Sequence, residues 1–446
     1  MRVVLISTYE LGRQPFGLAS PVAWLRAAGA EVACLDLAVQ PFAPDLLADA
    51  GLICFYLPMH TATRLAMPWI EQVRRLAPQA RICCYGLYAP VNAEYLRSLG
   101  VHDLIGGEFE AELQQLYLAL QQGQPEARST VSLERLDFLP PARDGLPELA
   151  RYGQVLLADG NTRISGYTET SRGCKHRCRH CPVVPVYQGR FRIVPVDTVL
   201  ADIRQQVAAG AEHITFGDPD FFNGPTHAMR VVRALHQEFP QLSYDVTIKI
   251  EHLLNHADLL AELRATGCLF ITSAVEAVDT ETLEIFEKNH SRADFIQAVE
   301  FCRMHGLVLN PTFVTFTPWT SREKYVDLLR LIAELDLVNY VSPIQYAIRL
   351  LIPDGSRLLE LPETHQLISG FDPAALCYRW NHPDPAMDDL YFTVMGIVQA
   401  GQGEGAGRAT IFARIWAAAT DNAPLPDWQN GRPAALVPQM SEPWYC

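Results

Sequence analysis

Along the first 120 residues, short apolar runs alternate with mixed apolar and polar stretches. Strands are expected at Val3–Ser7, Glu31–Leu35, Gly51–Leu57 and Arg81–Tyr85, with helical patterns such as Pro21–Ala28 and Trp69–Leu76 between them. Strands covered on both faces read as nearly unbroken apolar runs, and the intervening helices supply the cover. The pattern predicts a parallel α/β unit over residues 1–123, with any ligand beyond the carboxyl ends of its strands. Those ends carry Ser7–Gly17, Pro58–Thr63 and Gly86–Val91. The segment IGGEFEAEL, Ile105–Leu113, reads as a glycine turn opening a helix with an acidic first turn, which the helix dipole favours.

Residues 124–160 are rich in proline and charge and read as a linker across two domains. Regular alternation then resumes over 161–365. Helices Val196–Ala209, Thr226–Phe239, Ala257–Thr266, Arg292–His305 and Ser321–Leu335 each precede a strand. The strands are His213–Phe216, Tyr244–Ile250, Leu269–Val275, Leu309–Phe316 and Val341–Ala347. This order predicts a full or partial TIM-like barrel, with its chemistry at the carboxyl ends of the strands. Residues 366–446 form a mainly helical extension. Its glycine-rich turn, Gly401–Gly407, reads as a helix–helix connection and not a phosphate loop.

Composition narrows the class. Nearly half of the 446 residues are apolar, enough for a large core. The formal net charge of −14 argues against nucleic acid or an anionic membrane as the main partner. The opening MRVVLISTYELG reads as a first strand and not a leader, and no run is long and apolar enough to span a membrane, so a cytoplasmic protein is expected. Eleven irregularly spaced cysteines then point to reduced thiols or metal ligation.

The chemistry concentrates in TSRGCKHRCRHCP, Thr170–Pro182. Cys174, Cys178 and Cys181 stand at Cys-x3-Cys-x2-Cys spacing. Three soft thiolates from one loop suit three irons of a cubane and leave the fourth iron open. A structural zinc site is the competing reading, closed by His176, His180 or a distant cysteine. Ser171–Arg192 holds six Arg/Lys residues and no Asp or Glu, a local positive field in an acidic chain or an ordinary basic loop.

The cysteine loop and the strand ends behind it resemble the radical S-adenosylmethionine (SAM) family. Phe216–Asn223 (FGDPDFFN) resembles the family's G-G-E segment, which meets the SAM ammonium. The candidates there are Gly217, Asp218, Pro219 and Asp220. Ser273–Asp279 (SAVEAVD) is similar to the G-V-E-S segment, with Glu276 at the ribose-binding position and an alanine where glycine is usual. His180 stands where an aromatic residue usually faces the adenine. Lys249, Gln345 and Arg349 are further candidate SAM or substrate contacts, and Thr317 and Pro318 are expected at the barrel mouth. The resemblance implies a [4Fe–4S] cluster, SAM, a flavodoxin- or ferredoxin-like electron donor and a small-molecule or peptide substrate. SAM would be cleaved to methionine and a 5′-deoxyadenosyl radical.

The N-terminal unit resembles the Rossmann-like, cobalamin-binding-like domain that precedes many such barrels. The D-x-H-x-x-G pattern that ligates cobalt is absent, which leaves cobalamin and radical methylation open. The ending SEPWYC, Ser441–Cys446, resembles the group with a CUAEP or CCAEP tail. On that resemblance the chain natively continues past Cys446 through a selenocysteine, and Cys446 is a reactive thiol. Transfer of the 3-amino-3-carboxypropyl part of SAM to a soft acceptor such as arsenic is the alternative reaction. A non-catalytic zinc adaptor is the alternative of another class.

Overall fold

The protein is described by a computed structural model covering residues 1–124, 129–426 and 437–441. Its first sheet has the order β2-β1-β3-β4-β5-β6. The strands are β1 (Arg2–Ser7), β2 (Glu31–Asp36), β3 (Ala50–Tyr56), β4 (Arg81–Tyr85), β5 (Asp103–Gly107) and β6 (Ser129–Ser132). All five pairings are parallel. Each face has its own core. Ile53, Phe55 and Ile70 pack on one side, and Leu5, Leu18 and Leu116 on the other. Burial on both faces is why these strands read as continuous apolar runs. The edge strand β6 comes from the segment expected to be a linker.

β7 (Gln154–Leu156) then turns back antiparallel onto β8 (Thr162–Thr168). A small pair, β9 (Ser171–Gly173) and β10 (Phe191–Ile193), closes the base of the cysteine loop. β8 continues into β11 (His213–Phe216), β12 (Ser243–Thr247), β13 (Cys268–Glu276) and β14 (Val308–Phe313) as a parallel, partial barrel. Helices Val196–Ala208, Pro225–Glu238, Arg292–Met304 and Arg322–Glu334 cover it. Two start where polar side chains satisfy free backbone N–H groups. Ser291 and Asp294 form a capping box, and Ser321 accepts from Lys324.

The expected strand Val341–Ala347 does not form. Pro343–Ala347 is a 3-10 helix instead, and a single bridge, Phe316 to Arg349, marks where a sixth strand would pair. Pro343 brings no N–H to a ladder and favours the first turn of a helix. The barrel therefore stays open on that side.

The extension adds a hairpin, β15 (Ile368–Asp372) with β16 (Cys377–Trp380), and helices Pro385–Gly403 and Arg408–Ala419 joined by the glycine-rich turn. β17 (Gln439–Met440) returns to pair with β7. Cys446 lies outside the described residues. No helix among those described is long and apolar enough to cross a membrane.

Two buried arginines fasten the halves together. Arg143, from the segment between the sheets, donates to both oxygens of Asp202, to Gln14 and to the Tyr167 carbonyl at 2.6–2.8 Å. Arg172 of β9 reaches the start of helix Phe109–Gln121. It donates to Glu110 at 2.6 and 2.8 Å, to Glu108 at 3.3 Å and to Glu169 at 2.7 Å. Breaking a buried ion pair strands the partner's charge and costs about 3–5 kcal/mol. Arg172→Ala is therefore expected to lose stability on that scale in urea unfolding. Arg172→Lys should recover only part, because an ammonium cannot fork across the three carboxylates. A loss in the Ala variant below about 1 kcal/mol, the scale of an exposed pair, would mean that the halves are not held here.

Candidate functional site

A cavity of about 490 Å³ lies between the carboxyl end of the first sheet and the mouth of the partial barrel. Cys174, Cys178 and Cys181 all line it. The loop that carries them leaves β9 at Gly173, whose φ of +71° and contact with Tyr187 leave no room for a Cβ. Its backbone is then pinned at several points. Lys175 N donates to Asn223 at 3.1 Å, Arg179 N to the Phe286 carbonyl at 3.0 Å, and Ser356 Oγ to the Arg179 carbonyl at 3.1 Å.

The donor set distinguishes a cluster from a single ion. Sulfurs bound to one zinc at about 2.3 Å lie within about 4 Å of each other. Among the described residues, the group whose ligand atoms come within 4.8 Å of one another is His176, Asp220 and His252, and not the three cysteines. Neither neighbouring imidazole faces the thiols as a fourth ligand. His180 Nε2 lies 3.1 Å from Glu276 with its ring on Phe286, and His176 Nε2 meets His252 Nε2 at 3.1 Å. Three thiols with no fourth donor beside them among the described residues fit three irons of a cubane. Desolvation pushes the Cys174 thiol up to about 11, with Asp220 adding to it, and the Cys181 thiol up to about 12. Both would need a bound cation, such as iron, to become thiolates at neutral pH.

The predicted SAM residues separate into those that face the cavity and those that do not. His180, Gly217, Asp218, Pro219, Lys249, Glu276, Gln345 and Arg349 line it, while Asp220 does not. Glu276 ends β13 with a left-handed φ of +69°, which aims its carboxylate at His180 and at Lys288 Nζ, 3.4 Å away. Against the pull of burial, Lys288 and His180 hold Glu276 down at about 2, so it is ionised. A Cβ on Gly217 would sit 2.0 Å from the Tyr167 hydroxyl, so only glycine fits there.

Asp218 is not a free carboxylate for an ammonium. It accepts from Thr170 N, Thr170 Oγ1 and Ser171 Oγ at 2.6–2.9 Å and ties the loop base to β11. Arg349 is likewise committed, paired with Asp388 at 2.7 Å and stacked on Trp380. Gln345 accepts from Phe313 N. The expected positive field is also reduced. Arg172 is neutralised as described, and Arg179 pairs with Glu287 and donates to the Ile285 carbonyl. Lys175, Arg177 and Arg190 are exposed.

The opposite wall was not legible in the sequence. Glu10, Arg13, Tyr56 and Tyr88 come from the ends of the first sheet, and Tyr167 and Glu169 from β8 and the turn after it. Desolvation raises Glu10, with Glu169 adding to it, and its buried Oε2 has no hydrogen-bond partner. Glu169 sits one residue before the cysteine motif, the one signal that marked it. No imidazole or thiol lines the cavity from residues 1–124, so this wall offers cobalt no strong protein ligand. Near the barrel interior, Gln439 and Met440 of β17 line the cavity, with Met440 Sδ 3.7 Å from Thr215.

Desolvation moves Glu169 from 4.5 to about 7 against Arg172. A carboxyl raised on folding stabilises the protein below its unfolded value, and that stability is lost as pH rises through the folded value. The melting temperature is expected to fall between pH of about 4.5 and about 7, with a shallower fall in Glu169→Gln. Parallel profiles of the two proteins would contradict this.

Known proteins agree with this geometry. The family model described as the Radical SAM superfamily matches residues 168–332. The hopanoid C-3 methylase of Methylococcus capsulatus is 24% identical over 347 residues, covering 73% of this chain, which in turn spans 65% of that protein. A threonylcarbamoyladenosine tRNA methylthiotransferase, MtaB of Rickettsia prowazekii, is 24% identical over 69% of this chain and 70% of its own. Among solved structures, the cobalamin-dependent SAM radical enzyme OxsB superposes with a TM-score of 0.69 at 15% identity, over 90% of this chain and 67% of that one. The radical SAM methyltransferase TsrM from Kitasatospora setae, with cobalamin and a [4Fe–4S] cluster bound, gives 0.57 at 19% identity, over 75% and 70%. Residues 168–332, which carry the cysteine loop and the open barrel behind it, thus match the Radical SAM superfamily, and the methylase and methylthiotransferase relatives support an iron–sulfur enzyme that cleaves S-adenosylmethionine.

Proposed function

We propose that Cys174, Cys178 and Cys181 hold a [4Fe–4S] cluster at the edge of the interdomain cavity and that SAM is cleaved there to start radical chemistry on a substrate in the same cavity. The observation that carries this is the set of three thiols along one cavity wall with no fourth donor beside them among the described residues. Held by Cys174, Cys178 and Cys181, such a cluster would pass one electron from a flavodoxin- or ferredoxin-like donor to SAM, cleaving a sulfonium bond to give methionine and a 5′-deoxyadenosyl radical.

The chain's own residues bind and orient. Glu276, kept ionised by Lys288 and His180, accepts from the ribose hydroxyls of SAM. Gly217 lets the ligand approach the backbone, and Lys249 faces the SAM carboxylate. Asp218 acts as a positioning residue for the loop base. Glu10, Tyr56, Tyr167 and Glu169 form the wall that meets the substrate and excludes water from the radical.

A second reading rests on the methylase and methyltransferase relatives. On it, the first-sheet face of the cavity receives a corrinoid with no protein ligand to cobalt, and the reaction is a methylation. Aminocarboxypropyl transfer to a soft acceptor is distinguished from both by the bond broken in SAM.

Anaerobic reconstitution with iron and sulfide, followed by dithionite and SAM, is expected to yield 5′-deoxyadenosine, and Cys178→Ala is expected to yield none. Methylthioadenosine in its place would transfer the assignment to aminocarboxypropyl chemistry. Glu276→Gln should weaken SAM binding about tenfold or more, since hydrogen bonds to a charged group contribute about 1.5–3 kcal/mol. Unchanged SAM affinity in that variant would remove Glu276 from the site.

A further inference from the structure

A second group of metal-ligating side chains lies at the barrel ends behind the cysteine loop. His176 comes from the loop itself, between Cys174 and Cys178. Asp220 follows β11, and His252 belongs to the short helix Ile250–Asn255 after β12. His176 and His252 approach to 3.1 Å through their Nε2 atoms. Asp220 Oδ2 lies 2.6 Å from His252 Nδ1 and 3.9 Å from His176 Nε2. Around one first-row divalent ion, with bonds of about 2.0–2.2 Å, ligand atoms sit about 3–3.5 Å apart. An imidazole offers an ion one nitrogen only, and with one ligand atom from each residue the three lie within 4.8 Å of one another.

A carboxylate–imidazole–imidazole hydrogen-bond chain is the ordinary alternative, and the geometry does not complete it. Asp220 is 0% exposed and His252 2%. At 2.6 Å, Asp220 Oδ2 still lies off the N–H direction of His252 Nδ1, so neither atom has a hydrogen-bond partner. The other oxygen, Oδ1, accepts from the backbone of Phe222 and Lys249, which orients the carboxylate and leaves Oδ2 pointing at the imidazoles. A buried carboxylate oxygen and a buried ring nitrogen left unpaired cost free energy that a cation between them would recover. Glu251 Oε2, 3.7 Å from His176 Nδ1, is a further oxygen within reach.

We propose that His176, Asp220 and His252 form a second metal site, for a single divalent ion of the Zn2+ class, that ties the cysteine loop to the ends of β11 and β12. Two imidazoles and one carboxylate are a borderline-hard set that suits zinc or iron(II) and differs in kind from the three thiolates next to it. The site acts through the loop and not on the substrate. It does not depend on SAM cleavage, so its test is run without the cluster.

In the full chain with Cys174, Cys178 and Cys181 changed to Ser, Co2+ titration is expected to give about one equivalent of bound metal. The visible d–d absorption should be that of nitrogen and oxygen ligands, without a thiolate band. Zn2+ should displace Co2+ and raise the melting temperature. His252→Gln or Asp220→Asn in that background should abolish both effects, with the far-UV circular dichroism unchanged. Should the barrel variants not fold, His176→Gln, a change confined to the loop, must give the same loss. Absence of stoichiometric Co2+ binding, or binding that survives His176→Gln, would overturn the proposal and leave the trio a structural contact.

Discussion

The structure depends first on the guanidinium of Arg172. It sits two residues before Cys174, in β9, and is buried among carboxylates from both halves of the molecule. Glu108 and Glu110 open a helix of the first sheet, and Glu169 directly follows the first barrel strand, β8. Its plane also meets the rings of Phe16, Phe109 and Phe138 at 5.1–5.5 Å. Three carboxylates and three aromatic faces around one planar cation fix distance and orientation together, as a flexible ammonium would not. The cleft between the sheets therefore has a defined width at the point where the cysteine loop begins.

From that fixed base the loop is carried outward by contacts that share a logic. Backbone groups and carboxylates that elsewhere would bind ligand are spent on position. Asp218 holds Thr170 and Ser171, Asn223 holds Gly173 and Lys175, and Ser356 with Arg357 holds the far side of the loop. What remains for chemistry is a small set on the cavity surface: three thiols, one ionised carboxylate at Glu276, Lys249 and a glycine edge. Opposite this set stands a wall of aromatic rings and buried carboxyls that desolvation raises. Rigid placement and a dry wall are the protein's contribution when a cofactor carries the difficult step.

The parallel strands β1, β3 and β4 were legible because burial on both faces forces continuous apolar runs, and the cysteine motif stood out because its three thiols lie within eight residues of one another. The sixth barrel strand was misread because Val341–Ala347 is apolar and β-branched at its start, while Pro343 turns it into a 3-10 helix. The bonding of Asp218 to Thr170 and Ser171 was not legible for a different reason. A carboxylate at a strand end has the same one-letter signature whether it faces a ligand or a backbone N–H. Glu10, Arg13 and Tyr167 could not be read at all, since residues far apart in sequence become neighbours only when the two sheets close on each other. His252 gave no signal either, because its partner His176 lies 76 positions away.

The central claim is a cluster with one iron left open for SAM. Electron paramagnetic resonance of the reconstituted, dithionite-reduced protein tests it directly. About four irons and four sulfides per chain are expected, with a reduced [4Fe–4S] signal whose shape changes when SAM is added and which is lost in Cys178→Ala. A signal indifferent to SAM would contradict the account, as would a colourless protein that keeps zinc on its three cysteines.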